Sequence, residues 1–564
     1  MPNERRRMTL PTDPTWYSDV QAPVEVDDPA STRWDEETDV VVVGFGGAGA
    51  CAAIEAADND VRVMVIDRFT GGGATVESGG VFYAGGGTSH QREAGVEDTP
   101  EEMFKYLSME TKGCVEESTL KEFCDTSNET LLWLEEQDVP FEGSLCPYKT
   151  SYPTNRHRLY YSGNETVEAY RKNARPAPRG HVAKGKKGMK AVAGPAFYEP
   201  LKASALRKGV TPRLQARVER LAVDSEGTVV GLECREIPRG TIWALLHRLL
   251  AAADTKYYRF FPALGRRLRS MVEGIEKKRG KRKMIRAWRG VILSAGGFIL
   301  NRSMAKHYAP KYKGGLPLGT AGDDGSGIRL GESAGGVADR MDRVSAWRFI
   351  NPPLAWAMGI IVNGRGERYC DETVYGSFLG ERMCEEQEGR AILIINRALY
   401  RRALKEIMPG KVMPFQLMAA ASNMLFNARK GKTVEELAGT CGMVPEILRA
   451  TMDDYNGAAD GKREDILGKP GKYMHSLEKG PYYAMDVSSD SKLFPCPMIT
   501  FGGLVVDEKT GLVKRADGSA IRGLYAAGRT AVGVASNSYV SGLSIADCVF
   551  SGRRAGRHAA SGSV

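Results

Sequence analysis

The sequence predicts an α/β fold, and three observations predict it. A strand, a glycine turn, a helix and a second strand follow one another without interruption near the start; short apolar strands and a helix return at the far end; and 564 residues are too many for one core, so two domains are expected.

The first unit covers residues 39–67. Residues 39–43 are an apolar, β-branched run suited to a buried parallel strand, and Gly44-Phe45-Gly46-Gly47-Ala48-Gly49 follows at once. An Ala-rich helix at 50–57 and a strand at 61–66 lead to Asp67, 23 positions past Gly44. Each glycine has a separate mechanical reason. Gly44 permits the tight turn, Gly46 lets a pyrophosphate approach the backbone, and Gly49 lets helix and strand pack closely. A pyrophosphate would rest on the helix N-terminus, and Asp67 would accept from ribose hydroxyls. The order of all five parts predicts a Rossmann-like dinucleotide-binding domain more firmly than the glycines alone.

Eight glycines then fall within the 17 positions from Gly71 to Gly87, around Ala74, Thr75, Ser78, Gly79 and Gly80. Such a run suits neither a helix nor a strand interior, and it fits a loop laid against a flat ligand. Residues 100–137 have helical periodicity after a Thr-Pro-Glu-Glu start. The loop-rich stretch 147–196 holds Tyr160-Tyr161 and Pro176 to His181, where a lone histidine is read as structural or substrate-lining rather than catalytic. Alternating strands are expected at 218–223 and 228–233.

Composition is that of a globular protein, 42% hydrophobic and 26% charged. Ten cysteines are scattered without a CxxC pair, so neither a metal site nor a disulfide framework is expected, and a reducing, cytoplasmic compartment fits. The first residues form no signal peptide, and no window is apolar for long enough to span a bilayer. Residues 1–35 read as a polar extension on the surface or partly mobile.

The net charge of +9 has one source. Residues 239–289 hold fifteen Lys and Arg against Asp254, Glu273 and Glu276, which leaves the rest of the chain slightly acidic. Ile242, Leu245, Leu246, Leu249 and Leu250 recur at helical spacing, and Tyr257, Tyr258, Phe260, Phe261 and Trp288 add aromatics. Cations and leucines together suit an in-plane helix pair peripheral to a membrane better than nucleic acid; a solvated insert or an oligomer contact is the plainer reading.

Beyond the insert, 291–298 returns to a buried strand ending at Ala295-Gly296, and 320–327, which includes Asp324, opens a helix at 328–333. Residues 396–430 and 434–456 are mainly helical. The end returns to the first domain through 500–507, the turn at Gly528, and a helix at 545–555 entered through Leu543 and Ser544. A helix starting at Leu543 would turn its N–H groups toward negative charge on whatever lies before it.

Taken in order, these motifs resemble those of FAD enzymes of the fumarate reductase and 3-ketosteroid dehydrogenase superfamily. The resemblance covers nearly all of 39–556 apart from the basic insert. It implies a Rossmann-like FAD-binding domain made from both ends of the chain (36–315 and 496–564) and an inserted α+β substrate-capping domain (316–495). It further implies non-covalent FAD, since the Ala74–Gly80 loop lacks the histidine of succinate-oxidising relatives. The implied cofactor contacts are Gly44, Gly46, Gly47, Ala48, Gly49, Asp67, Arg68, Ala74, Thr75, Ser78, Gly79, Gly80, Ala295, Gly296, Asp324, Gly528, Leu543 and Ser544.

Within the superfamily, Tyr539 stands where fumarate and urocanate reductases carry an arginine. A site for dicarboxylates loses a bidentate guanidinium there, so an uncharged ketone is expected. Tyr539-Val540-Ser541-Gly542 resembles the Tyr-x-Ser of 3-ketosteroid Δ4-(5α)-dehydrogenases rather than the Tyr-Pro-Gly-x-Gly of Δ1 enzymes, and Tyr375 matches that branch's capping-domain tyrosine. The resemblance implies FAD-dependent desaturation of a 3-ketosteroid at C4–C5, with Δ1-desaturation or ene-reduction as alternatives. Tyr375, Tyr539 and Ser541 are the expected catalytic hydroxyls, their order left open. No metal and no nucleic acid is expected, and the electron acceptor is undetermined.

Overall fold

A computed structural model describes residues 20–185, 193–258 and 261–562. Residues 1–19, and Phe260 among the expected interfacial aromatics, lie outside the described residues.

The N-terminal βαβ unit nucleates a nine-stranded sheet. Its strands are β1 (Val24–Val26), β2 (Glu36–Val43), β3 (Val63–Asp67), β4 (Thr211–Leu214), β5 (Ala216–Asp224), β6 (Val229–Glu236), β7 (Lys281–Leu293), β8 (Leu512–Lys514) and β9 (Ala520–Ala526). They lie in the order β1-β5-β6-β7-β2-β3-β4, with β9 against β7 and β8 against β9. Strand β2 is central and parallel to β3 on one side and to the end of β7 on the other. Val40 to Val43 are buried, as the unbroken apolar run requires of a strand covered on both faces. The 13-residue β7 does two things. Its first half pairs antiparallel with β6, and its last residues, Val291 to Leu293, pair with Leu524 to Ala526 of β9, so the end of the chain lies two strands from β2.

Helix α1 (Gly47–Ala57) crosses the sheet and is covered in turn by the C-terminal helix, labelled α5 below. Of the extension, β1 is bound as an edge strand by β5, with Val24 opposite Ala222. The basic segment divides. Helices α2 (Ile242–Tyr257) and α3 (Pro262–Arg279) pack on each other, while Lys281 to Arg289 belong to β7 and the sheet. Buried carboxylates anchor this pair. Asp254 accepts from Arg269 at 2.8 Å, and Glu276 accepts from Arg68 at 2.8 and 2.9 Å and lies 3.1 Å from His247. Burial opposes the Glu276 charge, but Arg68 and the His247 hydrogen bond hold its carboxyl well below the usual range.

The capping domain is built on an antiparallel sheet of Ile360–Val362, Ile392–Asn396, Tyr482–Asp486 and Ala428–Gly431. Glu372 accepts from Arg368 and from Lys469 inside its core, and Arg368 also reaches Asp465 at 2.6 Å. Helix α4 (Pro414–Ser422) runs on into a π-helical turn at Asn423–Asn427. Ile328, Leu330 and Met341, expected in the capping domain, pack in the core around β7 and β9.

Helix α5 (Leu543–Ser561) closes the fold by backbone contact with α1. A Cβ on Gly552 would lie 2.5 Å from the Ala48 carbonyl, and one on Gly556 would lie 2.3 Å from that of Ala52. Gly556→Val should therefore separate the helices, cost about 3 kcal/mol, and lower both the thermal midpoint and FAD retention. Gly274→Ala in α3, where a Cβ meets nothing within 4 Å, should leave the midpoint unchanged or raise it. Differential scanning fluorimetry read on flavin emission measures both.

Candidate active site

The glycine turn has the geometry that a dinucleotide needs. Gly44 has φ +98, and a Cβ there would be 2.5 Å from the Ser294 carbonyl. At Gly49 a Cβ would be 1.9 Å from the Gly44 carbonyl. Gly46 differs, because a Cβ there would meet nothing nearer than 3.8 Å, so the groove in front of it is open to backbone approach. Gly46 caps α1 without a side-chain acceptor, and no acid occupies the first turn. That N-terminus suits an anion.

The surrounding loop is tied to this turn. Thr75 accepts from Gly47 N–H at 3.0 Å beside Ala74, Ser78 donates to the Thr75 carbonyl at 2.7 Å, and Gly80 N–H donates back to Ser78 at 3.1 Å. Asp67 accepts from Phe45, Phe69 and Gly71 N–H, so its carboxylate shapes the turn and keeps acceptor capacity for a ribose hydroxyl. Arg68 and Asp324 pair with each other at 2.9 Å, and Arg68 is otherwise committed to Glu276 of α3. On the far wall, Gly296 (φ +86) follows Ala295 and accepts from Thr530, while Gly528 lies over Ala48 and donates to Ser551.

The second half of the site comes from several separated segments. Val81–Tyr83, Leu159–Tyr160 and Gly180–Val182 form a small sheet, and Gly542 packs on it, accepting from Tyr83 N–H at 3.3 Å. Gly542 has φ +91 and leads into Leu543 and Ser544. That contact sets Ser541 beside Tyr160, whose hydroxyl donates to Ser541 Oγ at 2.8 Å. The Tyr375 and Tyr539 rings lie parallel, 6.4 Å apart, framed by Phe349 and Trp347. Ser377 donates to the Tyr539 carbonyl, Asn164 accepts from Tyr375 N–H, and Tyr375 Oη donates to the Ser151 carbonyl at 3.0 Å.

Burial governs the ionisation of these groups. It pushes Tyr539 up to about 12, against a hydrogen bond from Ser541. Tyr375 and Tyr160 are raised well above the usual value by burial, and Ser541 opposes that in both. The leading influences on Tyr375 and Tyr539 are burial and neighbouring hydroxyls, joined at Tyr375 by the Glu165 carboxyl, and no arginine or lysine is among them.

The sequence reading missed Tyr160 as a partner of Ser541, and it missed Lys149 and Glu165. Lys149 lines a pocket of about 20 Å³ with Ser151 and Tyr375, room for one water. Burial lowers its ammonium to about 8 and raises the Glu165 carboxyl to about 7. No motif marks them, because they converge only through tertiary contacts. His181 is structural: it is buried, Nε2 lies 3.1 Å from Thr88 Oγ1, and burial lowers it to about 3.

The family model described as an FAD binding domain matches residues 39–545. The chain belongs to this FAD-binding family. It is 40% identical over 509 residues, 88% of this chain and 93% of the other, to the 3-oxo-5-alpha-steroid 4-dehydrogenase of Comamonas testosteroni. It is 27% identical to the 3-oxosteroid 1-dehydrogenase of Mycobacterium tuberculosis, over 89% of this chain and 94% of that protein. The 3-ketosteroid-Δ4-(5α)-dehydrogenase of Rhodococcus jostii, solved with 4-androstene-3,17-dione, superposes with a TM-score of 0.79 at 30% identity, covering 96% of this chain and all of that one. The protein is an FAD flavoprotein of the steroid dehydrogenase and fumarate reductase superfamily, and the open groove at Gly46 and the uncapped α1 fit that cofactor.

With Tyr375 and Tyr539 held protonated, kcat/KM should show no tyrosine limb below about pH 10. Protonated Lys149 gives way to the neutral amine as pH rises through about 8. A limb in that region should move in Lys149→Met, and a pH–rate series on both proteins reads it.

Proposed function

We propose that this enzyme desaturates a 5α-3-oxosteroid at C4–C5. The observation that carries the reading is the Ser541 hydroxyl, 2.8 Å from Tyr160 and next to the stacked Tyr375 and Tyr539 rings, with no arginine or lysine among the leading influences on either tyrosine. A dicarboxylate would need a guanidinium here; a ring ketone needs only neutral donors.

Desaturation beside a ketone requires a polarised carbonyl, departure of the α proton and departure of a β hydride. FAD, when bound, supplies the hydride acceptor. Gly44, Gly46, Gly47 and Thr75 would hold its diphosphate and Asp67 its ribose, with Ala295, Gly296, Gly528 and the α5 start lining the remainder. Tyr539 is the hydroxyl donor to the 3-ketone, stabilising developing enolate charge without bringing an ion into an apolar pocket. A tyrosine with its pKa raised is a poor resting base, so the C4 proton is handed along hydroxyls. Ser541 already accepts from Tyr160, which leaves its own proton free to move toward Tyr375. Tyr375 in turn points at the Ser151 carbonyl, on the wall of the small pocket shared with Lys149. As Ser541 takes the C4 proton and passes its own to Tyr375, Tyr375 would release its proton to a water in that pocket or to the neutral Lys149 amine, and from there to solvent.

Tyr539→Phe and Ser541→Ala should each lower turnover of 5α-androstane-3,17-dione by about 10²-fold or more with the flavin spectrum intact. Enone absorbance with an artificial acceptor measures the rate. Product mass and double-bond position separate this reading from Δ1-desaturation. Unchanged turnover in Tyr539→Phe would remove its role.

We also infer that α2 touches a membrane surface. Ile242, Leu249 and Leu245 are 60%, 55% and 41% exposed, with Arg239, Arg248 and Lys256 around them. This pairing of apolar and cationic side chains supports in-plane binding to anionic lipid. No described helix is long and apolar enough to cross a bilayer. Leu245→Glu/Leu249→Glu should lower co-sedimentation with anionic vesicles severalfold, and unchanged partition would remove the reading.

A further inference from the structure

A second apolar face lies on the capping domain, where the sequence reading expected only helices. Helix α4 and its π-helical turn bury Gln416, Ala420, Asn423 and Met424 and present Phe415, Met418, Leu425 and Phe426 outward. These four are 50%, 70%, 64% and 75% exposed. Their spacing gathers them into one stripe. Single exposed apolar residues are ordinary on protein surfaces, but four large ones on one helical face are not.

The surroundings say what covers that face. Residues 397–432 hold eight Lys and Arg against one acid, Glu406, which is engaged by Arg402 and by the Ala355 N–H. Arg401, Lys405, Lys411, Arg429, Lys430 and Lys432 are all exposed. A second copy of this chain would bring the same positive charge against itself. An acidic protein would satisfy the cations and leave Phe426 and Met418 to be matched. An anionic bilayer accepts both, with the cations at the headgroups and the four apolar side chains below them.

The same face borders the site. The Phe415 ring lies 6.3 Å from that of Tyr152, and Gln416 donates to Ser151 Oγ and to the Tyr152 carbonyl, both at 3.2 Å. Ser151 is the residue whose carbonyl Tyr375 contacts, and the Tyr152 hydroxyl donates to Gly79 in the glycine loop. One layer of residues separates the exposed stripe from the catalytic hydroxyls.

We propose that the α4 face seats the capping domain on an anionic membrane and forms the lip through which apolar substrate enters from lipid. The binding half stands on the surface alone; the entry half rests on the steroid reading above. Holoenzyme is sedimented with phosphatidylcholine:phosphatidylglycerol vesicles (3:1) and with phosphatidylcholine alone, at low and high salt. The parent protein should bind the anionic vesicles, less at high salt. Met418→Glu/Phe426→Glu should bind at least fivefold less in the parent and in the α2 double variant alike. Flavin absorbance and thermal midpoint matching the parent establish that the variant is folded. The face is not a membrane surface if partition is unchanged, if neutral vesicles bind equally, or if the only loss comes from the α2 changes.

For entry, 5α-androstane-3,17-dione is delivered either dissolved in anionic vesicles or in cyclodextrin. The variant should turn over the vesicle-borne steroid at least fivefold more slowly and the cyclodextrin-borne steroid at the parent rate. Equal rates by both routes overturn entry from lipid. Failure of the steroid reading looks different, since the parent itself would turn over neither form.

Discussion

The contact between α1 and α5 is the constraint on which the other features depend. It lets two carbonyl-bearing helix surfaces meet at Gly552 and Gly556, where any side chain would intrude. Strand β7 supplies the second link by pairing with β2 and β9 in one strand's length. Residues some five hundred positions apart thereby share one groove. The α1 N-terminus and its glycine turn face it from one end of the chain, and Gly542 delivers Tyr539 and Ser541 from the other.

Desolvation is the second organising force. The site hydroxyls are enclosed by aromatic rings, so each tyrosine is held neutral and useful as a donor. Titratable charge is carried by Lys149, which shares a small pocket with Tyr375, and by Glu165, whose protonation, like that of Lys149, lies near neutrality because burial moves each toward its uncharged form.

The helical insert has an inner and an outer role. Its inner face is fastened to the turn after β3 through Glu276, Arg68 and His247, and Phe69 stacks on His247 with ring centroids 5.9 Å apart. Its outer face carries leucines and arginines to solvent. The buried ion pairs explain why so basic a segment does not repel itself from the domain: Arg68, from the turn after β3, pairs with Glu276 of α3.

The sequence by itself determined the βαβ unit, the need for glycine at positions 44 and 49, and the helix beginning at Leu543, because each is set by local periodicity or by backbone geometry that few residues tolerate. It also nominated Tyr375, Tyr539 and Ser541 through their resemblance to family motifs, and the structure brings the three side chains together. Only the tertiary structure decided that Tyr160 donates to Ser541, that Lys149 and Glu165 come near Tyr375, that Lys281 to Arg289 enter the sheet, and that Phe415, Met418, Leu425 and Phe426 face outward beside the site. Those outcomes depend on which distant segments share a sheet or a helix face, and neither periodicity nor spacing carries that information.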